Sequence, residues 1–374
     1  MLKVKSIFLT MPLKLKLFLS ISFLCLIITI ISYFLEATDF IGPFLSGFFV
    51  SLAVALGGTK KFKGFSFSIW IFAAVTLAMF YPASFQRMGS FEFKSLIVPL
   101  LQIIMFGMGT AMSIKDFAAV IKTPKAVFIG LLCQFTIMPI VGFGLATTFG
   151  FDAEIAAGII LIGSSPSGLA SNVMAFIGKA NLALSVTLTA VATLLAPLVT
   201  PLLMKLLAGQ LIEINVLNMM WGIVKIVIIP ILAGLLFNKL MHGKAKWLDD
   251  AMPLLSMVGI AVIIAIITAS GRDSLLEIGM ALILACLLHN SIGYFLGYWS
   301  CRLFKMDEKS CRTIALEVGL QNAGLASGIA LQLGRVSTLG LAAAVFGPMM
   351  NITGSTLASW WRGKPIKDES HPLK

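Results

Sequence analysis

The sequence predicts an all-α polytopic membrane protein. Three observations carry this: continuous apolar runs of about 20 residues, a charged fraction of 12%, and a mean hydropathy of +1.00. A soluble domain has about 45–50% apolar and about 25% charged residues; this 374-residue chain has 59% hydrophobic residues. It lacks the polar residues to cover a core of that size, so soluble, disordered and fibrous classes are excluded. An outer-membrane barrel is excluded as well, because its strands alternate over about ten residues and these runs are unbroken.

Twelve apolar segments stand near 16–35, 40–57, 66–86, 95–112, 126–148, 154–178, 182–208, 216–238, 251–270, 277–300, 312–333 and 337–361. Connections are short and leave no room for a separate soluble domain. The tail, 362–374, reads as polar and loose. Residues 1–36 start basic and turn apolar, as a leader would. Tyr33-Phe34-Leu35-Glu36 is too bulky for a cleavage site, so a retained helix is expected.

Charge supports the count. Of the 28 Lys and Arg, 22 fall in alternate gaps beginning with the N-terminus, Arg312 among them. Only Arg87, Lys94, Arg272 and Arg335 fall in the others, and Lys205 and Lys225 lie within spans. The positive-inside rule then places both termini in the cytoplasm, with the chain in the inner (plasma) membrane. The net charge of +12 reflects those loops and no nucleic-acid partner. Cys25, Cys133, Cys286, Cys301 and Cys311 lack paired or metal-ligand spacing and read as small buried hydrophobes.

Of sixteen acids, Glu317 alone lies well inside an apolar segment. A charge there costs roughly 2.5–3.5 kcal/mol on insertion scales. It is a partner for Lys225, a protonated structural acid, or a cation ligand. Gln321 lies one turn on, and Gly319 and Gly324 permit unwinding. Span six is interrupted similarly by Gly163-Ser164-Ser165-Pro166-Ser167-Gly168. Backbone groups freed by such breaks must be buried or line a cavity. Both breaks carry Gly-Leu-Ala-Ser, at 168–171 and 324–327. Counted from residue 66, they occupy the fourth and ninth of ten spans. Five plus five spans makes an inverted repeat, the plan of secondary transporters that bind ions where broken helices cross. Ser185 and Thr189 share one helical face, and Gln134 sits mid-span; each also has a bland reading, as backbone-bonded hydroxyls or helix–helix glue. His289-Asn290 is a lone histidine without an acid or cysteine partner. There is no nucleophile–base set and no HExxH motif, so an enzyme is not expected.

Together these residues resemble the bile acid:sodium symporter family over about residues 66–361. The resemblance rests on Phe106-Gly107-Met108-Gly109, Gln134-Phe135-Thr136-Ile137-Met138-Pro139, Ala170-Ser171-Asn172-Val173-Met174 and Glu317-Val318-Gly319-Leu320-Gln321-Asn322-Ala323-Gly324-Leu325-Ala326. It implies ten helices in two inverted five-helix repeats, with panel and core domains and crossing broken helices. Residues 1–57 would then be extra membrane helices, and 58–361 the transporter domain, with repeats at about 66–208 and 216–361. It further implies a first sodium site from Ser171, Asn172, Ser185, Thr189 and Glu317. A second would use Gln134, Glu317 and Gln321 with the backbone oxygens of Val318 and Leu320. Asn322 and Asn351 are the substrate candidates.

The expected function is sodium-coupled import of a small organic anion, a carboxylate, by alternating access, with no cofactor beyond coupling sodium. Partners are then sodium, the anion and the bilayer. Leu169 replaces the family's usual Thr, Ser164-Ser165-Pro166-Ser167-Gly168 replaces Cys-Cys-Pro-Gly-Gly, and Met350 stands where bile-acid-binding members carry His. These changes lie near the substrate crossing and speak against bile acid itself; a 2-oxo or hydroxy acid, a pantoate-like acid or a sterol-sized anion all remain open. The rival readings are a proton-coupled carrier or sodium/proton exchanger of the same architecture, and a non-transporting sensor.

Overall fold

The computed structural model describes residues 12–59, 63–113, 120, 123–241 and 246–366. The basic start, several loop lysines of the charge count (Lys60, Lys61, Lys115, Lys122 and Lys244) and the tail from 367 lie outside the described residues.

The protein is all-α apart from one small hairpin. In chain order the helices are α1 (Leu13–Phe34), α2 (Thr38–Gly57), α3 (Lys63–Phe80), α4 (Ile97–Ala111), α5 (Pro124–Phe149), α6 (Ala153–Ser164) and α7 (Ala170–Ile177). There follow α8 (Leu182–Ala208), α9 (Val216–Met241), α10 (Lys246–Ser270), α11 (Arg272–Leu303), α12 (Glu308–Gly319), α13 (Ala323–Gln332) and α14 (Leu339–Arg362). Among the described residues, nine helices are long and apolar enough to cross a membrane. The pairs α6/α7 and α12/α13 are the two interrupted spans.

Four sequence expectations need correction. The third span stops at Phe80, not near 86, because Pro82 cannot continue the helix ladder; after a separate single helical turn, Ala83–Gln86, the chain forms a hairpin, β1 (Arg87–Met88) against β2 (Phe91–Glu92). Gly89, at φ 61°, turns that hairpin in a backbone region open to glycine. The tenth span begins at Arg272, so that α11 is 32 residues long. The eighth contains a π-turn at Val224–Ile228, where Pro230 removes a backbone donor. Finally, Arg312 is no loop charge. It is 2% exposed inside α12, donating to Glu308 at 2.8 Å and to the carbonyls of Gly178 and Trp361 at 3.2 and 3.1 Å.

Two groups of helices pack mainly among themselves. One is α3, α4, α9 and α10; the other is α5 to α8 with α11 to α14. The chain's large buried cluster spans both. α1 packs on α2, and α2 on α3. Small residues allow this close approach, as membrane helices require: Gly47 lies against Cys25, Ser22 donates to the Phe48 carbonyl at 3.2 Å, and Ser66 donates to the Ala53 carbonyl at 2.8 Å. All five cysteines are free thiols.

The two interrupted spans share local structure. Each first half starts after an N-cap aspartate, Asp152 or Asp307. Each second half ends with the same bond pattern: Gly178 and Ala180 donate to Met174 and Ala175, and Leu333 and Arg335 donate to Ile329 and Ala330. Lys179 and Gly334 take the left-handed conformation at these ends.

Candidate cation site at the helix crossing

Each interrupted span leaves helical geometry for a few residues, Ser165 to Leu169 in one and Leu320 to Asn322 in the other. Proline explains the first: Pro166 has no N–H to give. The freed groups do not face lipid. Gly168 N–H donates to the Leu320 carbonyl at 3.0 Å, and Asn322 N–H donates to the Pro166 carbonyl at 2.8 Å. Ser167 and Gln321 thereby form an antiparallel bridge. The breaks cross as a minimal two-stranded ladder, satisfying backbone groups that a membrane cannot. Glycine is needed here, since a Cβ on Gly168 would sit 2.8 Å from the Gln321 carbonyl oxygen.

Glu317 is placed beside this crossing by the last turn of α12 and is 2% exposed. Its carboxylate accepts from Ser185 Oγ at 2.5 Å, from Ser167 Oγ at 2.6 Å and from Thr189 Oγ1 at 2.9 Å. Ser185 and Thr189 also approach Asn172 Oδ1, at 2.9 and 3.3 Å. Ser171 Oγ lies 3.2 Å from Thr189 Oγ1 and donates to the Gly168 carbonyl at 2.8 Å. All five residues expected at the first site are thus in one cluster. One residue was missed: Ser167. The sequence displayed it as a departure from the family's glycine, and a hydroxyl on a broken segment was the available signal.

Proton arithmetic describes the chemistry of this cluster. Five oxygen–oxygen contacts reach Glu317 and Asn172 from Ser167, Ser185 and Thr189. Each hydroxyl has one hydrogen, so three hydrogens serve five contacts. The cluster has a surplus of lone pairs around one carboxyl group, and no Lys, Arg or His lies within 4.0 Å of that group among the described residues. Hard cations bind such all-oxygen sets. The alternative of a Lys225 partner fails: that side chain is exposed, with Nζ 5.4 Å from the Trp221 ring centroid.

The second expected set is only partly assembled. Gln134 Nε2 donates to Gln321 Oε1 at 2.9 Å and to the Ser165 carbonyl at 3.0 Å, and Gln321 Nε2 donates to the Val318 carbonyl at 2.5 Å. Gln134 Oε1 is buried without a partner. Glu317 makes no hydrogen bond to either glutamine, and the Leu320 carbonyl serves the ladder. Of the substrate candidates, Asn322 caps α13 by accepting from Leu325 N–H at 2.9 Å. Asn351 donates to Gly347 on its own helix at 2.8 Å. Gly347 packs toward Ala323, beside Asn322, so the two asparagines flank one helix contact without bonding each other. His289 is fully buried and its Nε2 lies 2.9 Å from the Met138 carbonyl, a packing role.

Comparison with known proteins places the chain among transporters. Residues 98–278 match the family model described as the Sodium Bile acid symporter family. The Bacillus subtilis (strain 168) protein named "Uncharacterized sodium-dependent transporter YocS" is 40% identical over 312 residues, covering 83% of this chain and 95% of the relative. An Arabidopsis thaliana protein, "Probable sodium/metabolite cotransporter BASS1, chloroplastic", is 33% identical and covers 79% of this chain and 73% of its own length. An Oryza sativa subsp. japonica protein, "Probable sodium/metabolite cotransporter BASS2, chloroplastic", is 30% identical, covering 81% and 72%. These relatives are transporters, not enzymes. The chain, a multi-pass, sodium-coupled transporter, belongs to the sodium bile acid symporter family.

Proposed function

We propose that the protein imports a small organic anion, a carboxylate, together with two sodium ions by alternating access. The observation that carries this reading is the oxygen cluster around Glu317, with three hydroxyl hydrogens for five contacts. A first sodium ion would take the surplus lone pairs of Glu317, Asn172, Ser171, Ser185 and Thr189, with Ser167 as an added oxygen. A second would use Gln134 and Gln321; the unpartnered Gln134 Oε1 fits that role. Glu317 would reach this second ion only through side-chain movement.

Two sodium ions and one carboxylate leave a net charge of +1 at the crossing. The N-termini of α7 and α13 add a favourable dipole for an anion. In a low-dielectric site the resulting attraction is far larger than in water. Sodium therefore prepares the anion site, with Asn322 and Asn351 as contacts. A monoanion moved with two sodium ions carries one positive charge inward, a step to which 100 mV contributes about 2.3 kcal/mol.

In this reading, α3 to α14 form the transporter domain of two inverted repeats, the two packing groups are its panel and core, and α1 and α2 are additions beside α3. The matching ends of the interrupted spans support the repeat. Loop charge supports cytoplasmic termini in the plasma membrane. The "sodium/metabolite" names of the plant relatives point to a metabolite-sized anion, and Leu169 and Met350 remove polar groups from the crossing.

Counterflow in proteoliposomes tests this. Labelled 2-oxo acids, hydroxy acids, a pantoate-like acid and a bile acid would be offered with sodium or choline, each with the proton gradient imposed and with it collapsed. One carboxylate should enter only with sodium. Equal uptake in choline, or uptake driven only by protons, rejects the proposal, and tight binding without flux points to a sensor.

A further inference from the structure

A cavity lies away from the hydroxyl cluster, between α11, the start of α12 and the end of α14. Its volume is about 990 Å³. One wall carries Phe295, Trp299 and Arg302 of α11; the facing wall carries Leu357, Trp360 and Lys364.

Polarity is graded along this groove. At the deep end, Tyr294 OH and Thr353 Oγ1 lie 3.3 Å apart. The middle is aromatic and open to the surroundings, with Phe295 61%, Trp299 52% and Trp360 57% exposed. The outer end is basic, lined by Arg302, Lys305, Lys309 and Lys364. Its two acids are already engaged. Asp307 accepts from Ser310 N–H and Oγ at 3.0 and 2.6 Å. Glu308 accepts from Arg312 Nε at 2.8 Å and from Tyr298 OH at 2.7 Å. Lys305 and Lys309 are exposed, and their ammonium groups have no carboxylate within 4.0 Å among the described residues. Lys364 Nζ rests 5.3 Å from the Trp360 ring centroid.

An apolar, tryptophan-flanked trough ending in surplus positive charge is complementary to one class of molecule. Tryptophans sit at headgroup level, and basic pockets between membrane helices hold anionic headgroups. We propose that this groove binds an anionic phospholipid, its phosphate against Lys305 and Lys364 and an acyl chain along Phe295 and Leu357. The deep end connects to the crossing. Thr353 donates to Asn290 Oδ1 at 2.5 Å, and Asn290 Nδ2 donates at 2.7 Å to the carbonyl of Gly319, the last residue of α12.

The test uses the full chain, purified in a nonionic detergent. Native mass spectrometry compares retention of phosphatidylglycerol and phosphatidylcholine of identical acyl chains, with glycerol 3-phosphate as the free headgroup. The wild type should retain phosphatidylglycerol at least tenfold better than phosphatidylcholine and ignore glycerol 3-phosphate. The double variant Lys305→Gln/Lys364→Gln should lower phosphatidylglycerol retention at least threefold and leave phosphatidylcholine unchanged. Equal retention of the two lipids by the wild type overturns the proposal, and so does a folded double variant that holds phosphatidylglycerol normally. Binding of glycerol 3-phosphate as tight as that of the lipid would make this a free-phosphate site and overturn the lipid assignment. The wild-type headgroup comparison decides the matter even where the variant fails to fold.

Discussion

Replacing Glu317 by Gln removes the single negative charge at the crossing and keeps its shape. Three hydroxyls donate to this carboxylate, at 2.5, 2.6 and 2.9 Å. A serine or threonine hydroxyl can turn and accept instead, so one of them can receive the new amide N–H and the packing survives. A buried charge without a counter-charge is itself destabilising. The sodium-free melting temperature of Glu317→Gln should therefore equal or exceed that of the wild type. Sodium binding is a different matter. Unit charges 4 Å apart attract by about 4 kcal/mol at an effective dielectric of 20. At about 1.4 kcal/mol per decade, that is close to a thousandfold in affinity. Equilibrium binding of radioactive sodium to purified protein, paired with sodium-dependent melting, reads both quantities. A folded variant that binds sodium within about threefold of wild type would refute the argument that charge at this position recruits the ion.

Other perturbations separate the parts of the site. Gln134→Leu removes the unpartnered oxygen and orphans the Ser165 carbonyl and Gln321 Oε1; each lost partner costs about 1–3 kcal/mol. The Hill coefficient for sodium in uptake assays should fall from near two towards one, and an unchanged coefficient would remove Gln134 from the ion path. Gly168→Ala puts a methyl group 2.8 Å from the Gln321 carbonyl oxygen. Overpacking of this kind costs about 1–3 kcal/mol, so thermal unfolding should come earlier and transport should be lost. Gly144→Ala, with nothing within 4 Å of the added carbon, should be silent in both assays. Arg312→Met leaves Glu308 to Tyr298 and Arg302 and strands the Gly178 and Trp361 carbonyls, each lost partner costing about 1–3 kcal/mol. Arg312→Lys should not rescue the melting temperature, because an ammonium group lacks the guanidinium fork that reaches all three partners.

Much of this was legible in the sequence because lipid makes mistakes expensive. A lone acid, a mid-span proline and a buried amide each stand out against apolar neighbours, and so Glu317, the Pro166 break and Gln134 could be named before any coordinates. Helix spacing alone put Ser185 and Thr189 on one face. What could not be read was pairing between distant segments. Ser167 meets Glu317 across 150 positions, and only the ladder between the two breaks sets that register. The same ladder occupies the Leu320 carbonyl, which the resemblance had assigned to a cation. Arg312 reads as a loop charge until Trp361 and Gly178 are seen to supply carbonyls from other helices. The hairpin at 87–92 is short and exposed, and the stretch 81–86 before it blended into the third apolar run.

Thallium is a monovalent ion heavy enough to be located by anomalous scattering. Crystals of the protein grown with thallium in place of sodium should show a peak enclosed by Glu317, Asn172, Ser185 and Thr189, removed by excess sodium. A peak bound only elsewhere, or a Glu317 carboxylate still held by its three hydroxyls at saturating ion, would contradict the claim that this carboxylate is a cation ligand.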